Sequence, residues 1–381
     1  MVCVGLTVAF VASLCASVCA KDAVKIPLKR SGSRAMQNVV KRDISRFAPR
    51  PELATVPVAN DAINYLANVT VGTQTFYLLV DTGSANTWVG ANKTYIPGDL
   101  GYASWLYYVE VTYGSGYFNG TEYFDTVIFG GLTVHNQSIG VSSYEEGYGY
   151  QGLDGILGVG AIIQTNGTVN GTELVPTVMD NLYAQGVIEE EVLGVYFAPL
   201  SRNSTLEING ELTIGGVDDR HYIGNITYVP TWKSGDHVSS WGLTVDEITY
   251  NGTHVGDSWS AIVDTGTTNI YIPESAYTPF LNVSGGTYDY NVHLSKFAAK
   301  PTGNFAFSIG GTLFELTPDQ YLVPQDEYSV WNIPDDGNYY SFISTAGPTY
   351  FFIGQKFLEN YYAVFDTTNV RIGLAPANHS P

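Results

Sequence analysis

Two segments of the chain carry the same chemistry. Leu78-Leu79-Val80-Asp81-Thr82-Gly83-Ser84-Ala85-Asn86-Thr87-Trp88-Val89 returns 183 residues later as Ala261-Ile262-Val263-Asp264-Thr265-Gly266-Thr267-Thr268-Asn269-Ile270-Tyr271-Ile272. At ordinary composition an Asp-Thr-Gly arises by chance on the order of once per several thousand positions. Two copies, each behind an apolar run and each followed by a hydroxyl residue, therefore mark a duplication. An aspartate at a strand end followed by glycine lets backbone N–H groups and the next hydroxyl close on the carboxylate and fix its orientation. Brought together across a pseudo-twofold axis, two such carboxyls cannot both ionise, so they share a proton and titrate as a pair. One member can then act as general base toward a water while the other gives a proton to the attacked carbonyl. That chemistry calls for no cofactor, no metal and no covalent intermediate.

To bring two such residues together the chain must build the same support twice. Each half repeats an apolar-apolar-Gly after its Asp-Thr-Gly, as Ile156-Leu157-Gly158 and Phe352-Ile353-Gly354. Beyond residue 51, short β-branched and aromatic runs alternate with Gly, Asn and Asp turns, as at 107–113, 123–129, 212–214, 361–365 and 371–374. Helical windows are few: 175–185, 274–281 and a short 355–359. The 381 residues suit two cores, and 41 Gly and 28 Tyr with only 14% charged residues suit folded β-structure. The expected class is mostly β: two similar lobes with a central cleft, one over 52–224 and one over 225–381, each presenting one Asp.

These motifs, together with Val111-Thr112-Tyr113-Gly114-Ser115-Gly116 and the ending Tyr361-Tyr362-Ala363-Val364-Phe365-Asp366, resemble the pepsin-like aspartic endopeptidases, and within them the secreted fungal group of polyporopepsin type. The likeness runs over residues 56–375. A shared-proton pair is that family's own device, so it comes with the resemblance as well as from the charges. The resemblance implies a bilobal pepsin-like fold and hydrolysis of polypeptide substrates between apolar residues. It implies Asp81 and Asp264 as the catalytic pair, Ser84 and Thr267 as donors to their outer oxygens, Thr82 and Thr265 as the link between the loops, and Gly83 and Gly266 as supporting residues. Tyr113, Gly114 and Ser115 would form a flap over the substrate, with the Tyr113 hydroxyl held by Trp88. Leu79, Leu153 and Ile156 would join Tyr113 in lining the pocket on the N-terminal side of the cut bond. Relatives that accept Lys there carry an acid where this chain has Ser115.

The three cysteines, Cys3, Cys15 and Cys19, fall in an uncharged run ending in small residues, which reads as a secretory signal over 1–20, a membrane anchor being the alternative. The mature protein is then expected to be extracellular and free of disulfides. Residues 21–50 carry nine Lys/Arg and two acids, net +7, whereas the chain from 51 onward carries −26. A basic prosegment over 21–51 is expected to lie on the acidic body as its own inhibitor and to leave when carboxylates protonate; Val24-Lys25-Ile26-Pro27-Leu28 resembles the start of a pepsinogen-type prosegment. The dibasic Lys41-Arg42 also reads as a site for a processing protease. A net charge of −19 excludes binding that neutralises phosphates, so no nucleic acid and, once the signal is gone, no membrane is an expected partner, and the molecule is expected to be a monomer. Eleven N-x-Ser/Thr sequons, Asn119 on the flap among them, suit a glycosylated surface. The six histidines are scattered without metal-ligand spacing, and no Gly-x-Ser-x-Gly or post-signal Cys offers another nucleophile. Gly147–Gly152 reads as a Gly-rich loop, and residues 189–191 and 335–336 as solvated acids.

Overall fold

Each Asp-Thr-Gly loop hangs from the same arrangement of short strands. The computed structural model describes residues 24–32 and 62–379, apart from 115, 149–151, 201–206 and 330, so the expected signal and most of the expected prosegment lie outside the described residues. In the first half Gln74–Asp81 runs parallel to Gly155–Gly158, with Asp81 opposite Gly158. Trp88–Val89 lies antiparallel to Gly155–Gly158 and parallel to Leu132–Glu146. In the second half Trp259–Val263 runs parallel to Phe352–Ile353, and Ile270–Tyr271 lies antiparallel to Phe352–Ile353 and parallel to Ile343–Ser344. The apolar run before each aspartate is accordingly buried, Leu78, Leu79 and Val80 in one half and Ala261 and Val263 in the other, as strands flanked on both faces must be.

The two apolar-apolar-Gly motifs close these arrangements. A Cβ on Gly158 would stand 2.4 Å from the Ala85 carbonyl carbon, and one on Gly354 would stand 2.3 Å from the Asn269 carbonyl oxygen. Glycine at both places lets a strand pass directly against the loop that carries the aspartate.

One thirteen-stranded sheet runs from the flap hairpin, Tyr102–Tyr113 and Gly116–Phe129, through the Asp81 strand to Val192–Tyr196 and on to Tyr361–Asp366, Arg371–Pro376 and Thr227–Pro230. Strands from the end of the chain therefore pair with strands of the first half. In the middle of that sheet lies Val24–Gly32, antiparallel to Glu207–Ile214 on one side, with Val24 opposite Ile214, and to Ala62–Val71 on the other, with Gly32 opposite Ala62. The second half adds sheets of five, four and three strands. The three expected helical windows hold helices at Val178–Ala184, Glu274–Ser284 and Gln355–Leu358, and a fourth short one spans Pro318–Tyr321. The result is the expected mostly-β, two-lobed architecture. Among the described residues no helix is long and apolar enough to cross a membrane.

Candidate active site

The first loop holds its carboxylate as the Gly-after-Asp spacing predicts. The Gly83 N–H donates to Asp81 Oδ1 at 2.9 Å and the Ser84 hydroxyl donates to Asp81 Oδ2 at 2.6 Å. The second loop repeats this, Gly266 N–H to Asp264 Oδ1 at 2.8 Å and the Thr267 hydroxyl to Asp264 Oδ2 at 2.6 Å. Both aspartates are buried, and charge-assisted bonds of this length are what hold a desolvated carboxylate in one orientation.

Thr82 and Thr265 tie the loops to each other. Each backbone N–H donates to the other's Oγ1 at 3.0 Å; the Thr82 hydroxyl donates to Val263 O at 3.0 Å and the Thr265 hydroxyl to Val80 O at 2.8 Å. The link brings the acids together so closely that a Cβ on Gly83 would stand 2.7 Å from Asp264 Oδ1.

Behind each loop the apolar-apolar-Gly and the residues directly after it supply further backbone support. Val159 N–H donates to Asp81 O at 3.0 Å and Gly160 N–H to Ser84 O at 2.7 Å; Asp264 N–H donates to Ile353 O at 3.1 Å and Gln355 N–H to Thr267 O at 2.8 Å. Two glutamines that sequence reasoning missed complete the support. Gln164 accepts from Ala161 N–H at 2.8 Å and donates Nε2–H to Gly83 O at 3.0 Å, and Gln355 donates Nε2–H to Thr265 O at 2.7 Å. Each follows its apolar-apolar-Gly, but at a different distance, so no shared spacing announces them.

The flap hairpin turns between Tyr113 and Gly116, which are register partners. Of its expected residues Gly114 lies in that turn and Ser115 falls outside the described residues. A Cβ on Gly116 would meet the Glu146 carbonyl oxygen at 2.2 Å, so that position, where the return strand begins, is closed to any larger residue. Tyr113 packs with Leu79, Leu153, Ile156, Trp88, Phe118 and Tyr148 in one apolar cluster. The expected bond from Trp88 to the Tyr113 hydroxyl is not made: Trp88 Nε1 is buried without a hydrogen-bond partner. Both rings instead meet Tyr148 edge-on, at 5.3 and 5.5 Å, and stack on Phe118, and these aromatic contacts set the tyrosine's place.

Leu79 stands two residues before Asp81, and its counterpart Ile262 two before Asp264. Ile262 lines a cavity of about 490 Å³ with Phe352 of the second apolar-apolar-Gly and with Trp232, Trp259 and Tyr350, aromatic residues that no motif singled out. The residue two before each acid thus lies among apolar and aromatic side chains in both halves. Of the acids read as solvated, Glu189 and Glu190 are exposed but Glu191 is half-buried, its carboxyl pushed up to about 8 by burial and the neighbouring Asp180.

The chain matches the eukaryotic aspartyl protease family over residues 64–377. It is 40% identical over 337 residues to polyporopepsin of Irpex lacteus, covering 84% of this chain and 96% of that protein. It is 30% identical over 396 residues to cathepsin E of Aquarana catesbeiana, covering 93% of each, and 31% identical over 332 residues to pepsin A of Bos taurus, covering 82% and 84%. The crystal structure of the aspartic proteinase from Irpex lacteus superposes with a TM-score of 0.78 at 37% identity, over 93% of this chain and 98% of that one.

Proposed function

The chain belongs to the eukaryotic aspartyl protease family and is an aspartic-type endopeptidase, and from that premise we propose that Asp81 and Asp264 are its catalytic pair, acting on polypeptides in acid between apolar residues. The observation that carries this reading is the reciprocal Thr82–Thr265 link, which sets two identically bonded carboxylates face to face. With one proton between them, the ionised member draws a proton from a water held between the two while the protonated member donates to the peptide carbonyl. Attack gives a tetrahedral diol, and return of the proton to the leaving nitrogen breaks the C–N bond. Closure of the Tyr113 hairpin would exclude bulk water and strengthen the fields inside the site.

Apolar specificity is supported by the Leu79, Tyr113, Leu153 and Ile156 cluster on one side and the Ile262 cavity on the other. Synthesis as a secreted, glycosylated, monomeric zymogen is the companion proposal; the seat of Val24–Gly32 inside the sheet supports a prosegment that is part of the fold before it is removed. Incubation of the acid-activated protein with denatured globin at about pH 3–5, with and without a statine peptide, tests the reading. Statine-sensitive cleavage is expected. A folded protein that leaves globin intact would make the chain a binding protein on a protease scaffold.

A further inference from the structure

Gln355 is fully buried, and its two ends are treated differently. Its Nε2–H donates to Thr265 O at 2.7 Å, while its Oε1 is buried without a hydrogen-bond partner. The reverse assignment would set two oxygens against each other, so the donor end must face the carbonyl. A buried amide oxygen left unpaired is unfavourable, and a side chain present only to fill space would be apolar. The position is therefore occupied for its N–H.

The acceptor explains why. Thr265 O and the Gly266 N–H belong to one peptide unit, which is planar, and that N–H donates to Asp264 Oδ1 at 2.8 Å. Holding the oxygen from behind fixes the direction in which the N–H points, and polarises the peptide so that the N–H binds the carboxylate more strongly. The first half lacks this arrangement: Gln164 holds Gly83 O, whereas the N–H on Asp81 Oδ1 belongs to the preceding peptide.

We propose that Gln355 is a positioning residue for peptide hydrolysis, which orients and polarises the 265–266 peptide so that charge is favoured on Asp264, using a donor whose hydrogen is present at every pH. The proposal rests on the reading of Asp81 and Asp264 as the catalytic pair. The charged and titratable groups around Gln355 leave that task to it. On its own helix Lys356 is paired at 3.1 Å with Glu359, which caps the helix C-terminus. On the elements packed against that helix, Asp319 is paired with Lys300 and Asp366 with Arg371, each at 2.7 Å, and Tyr271, Tyr321, Tyr361 and Tyr362 are neutral in acid. Asp264 is the acid of the loop that Gln355 holds.

The test compares Gln355→Met, Gln355→Asn and Gln355→Glu with the unmutated enzyme across pH on an apolar chromogenic peptide. Q355M has nearly the same volume and no donor, and Q355N is one methylene short of the carbonyl. Both should lower kcat about tenfold with KM within about twofold, and move the acid limb of the profile upward by about half a pH unit as Asp264 loses support. Q355E should come back to within about threefold of the unmutated kcat near pH 3, where its carboxyl still carries a hydrogen to donate, and fall away once it ionises. Unchanged kcat and acid limb in Q355M and Q355N, or a Q355E that follows Q355M at every pH, would overturn the proposal. If Q355E does not fold, Q355M and Q355N decide. If the unmutated protein proves inactive, the catalytic reading fails by itself, and amide hydrogen exchange at Gly266 decides the brace: faster in Q355M supports it, unchanged overturns it.

Discussion

The hydroxyls of Thr82 and Thr265 each serve two masters: each accepts the other residue's N–H and donates to a carbonyl on the opposite strand, Val263 O for Thr82 and Val80 O for Thr265. Four buried backbone groups thus depend on two side chains. Thr82→Val or Thr265→Val, close to isosteric, leaves one N–H and one C=O unpaired in each case, at about 1–3 kcal/mol per orphaned group. A fall in melting temperature with a parallel loss of kcat is expected, and Thr82→Ser should restore both. Valine variants with unmutated stability would show that the link is dispensable.

Asp81→Asn and Asp264→Asn should each remove peptide hydrolysis, by a factor of at least about a thousand, since neither acid alone can serve as both base and proton donor. The asparagine keeps an acceptor for Ser84 or Thr267, so near-UV circular dichroism should be little altered. Substantial turnover by either purified variant would refute the assignment.

Stability should fall as pH rises, for reasons local to the first half. Burial pushes Glu122 up to about 7, with the Ser138 hydroxyl on its Oε1, and burial with the Asp180 charge pushes Glu191 up to about 8. Asp180 is raised too, mainly by burial, and the two acids border a cavity of about 140 Å³ with His237. A carboxyl whose folded pKa lies above its ordinary value of 4.5 keeps its contribution below that value and loses it as pH climbs to the folded pKa. The melting temperature should therefore decline between about pH 4.5 and 8. Glu122→Gln, which keeps the acceptor and cannot ionise, should recover on the order of 1–3 kcal/mol near pH 7.5 and change nothing at pH 3. A decline of the same size in the variant would place the loss elsewhere.

The basic stretch over 21–50 should inhibit at neutral pH and leave on acidification, because its +7 is attracted to a body of −26 only while the carboxylates are ionised. Mass spectrometry of the secreted protein before and after acidification checks this. An N-terminus already at Asp43 before acidification would assign removal to a protease that cuts after Lys41-Arg42.

Cleavage should favour large apolar residues on the N-terminal side of the cut bond, where burial of a Leu or Phe side chain is worth roughly 1.5–3 kcal/mol. A Lys entering the cluster of Leu79, Tyr113, Leu153 and Ile156 would lose its hydration without a partner. Ser115→Asp should raise cleavage after Lys and leave cleavage after Phe largely intact, as read from digests of a protein substrate. Efficient cleavage after Lys by the unmutated enzyme would point to another acid, Glu110 or Glu145, reaching the pocket.

What could be read from the chain was whatever is local and repeated. Asp81 and Asp264, their following glycines and hydroxyls, and the glycines at 158 and 354 stand in matching contexts, so two copies identified each other. Glu122 was legible in principle: along Gly116–Phe129 it shares the inward parity of Phe118 and Gly120. Gln164 and Gln355 were not, because their partners are carbonyl oxygens 81 and 90 residues away, a relation that side-chain patterns do not encode. The pairing of Val24–Gly32 was hidden for the same reason: its register partners lie near residues 64 and 210, and a basic composition suggests an appendage before it suggests a central strand. The missing Trp88–Tyr113 bond depended on Tyr148, distant in sequence from both.

That central strand changes what maturation would mean. Withdrawing Val24–Gly32 leaves Ala62–Val71 and Glu207–Ile214 facing each other across a gap, two rows of unpaired backbone groups in the floor that joins the halves. Removal of the prosegment would then be an exchange, in which the new N-terminus has to be drawn into the vacancy, and the instructions for assembling that floor depart with the excised piece. The finished enzyme would persist because it unfolds slowly, with its active lifetime set by a rate and no easy road back once unfolded.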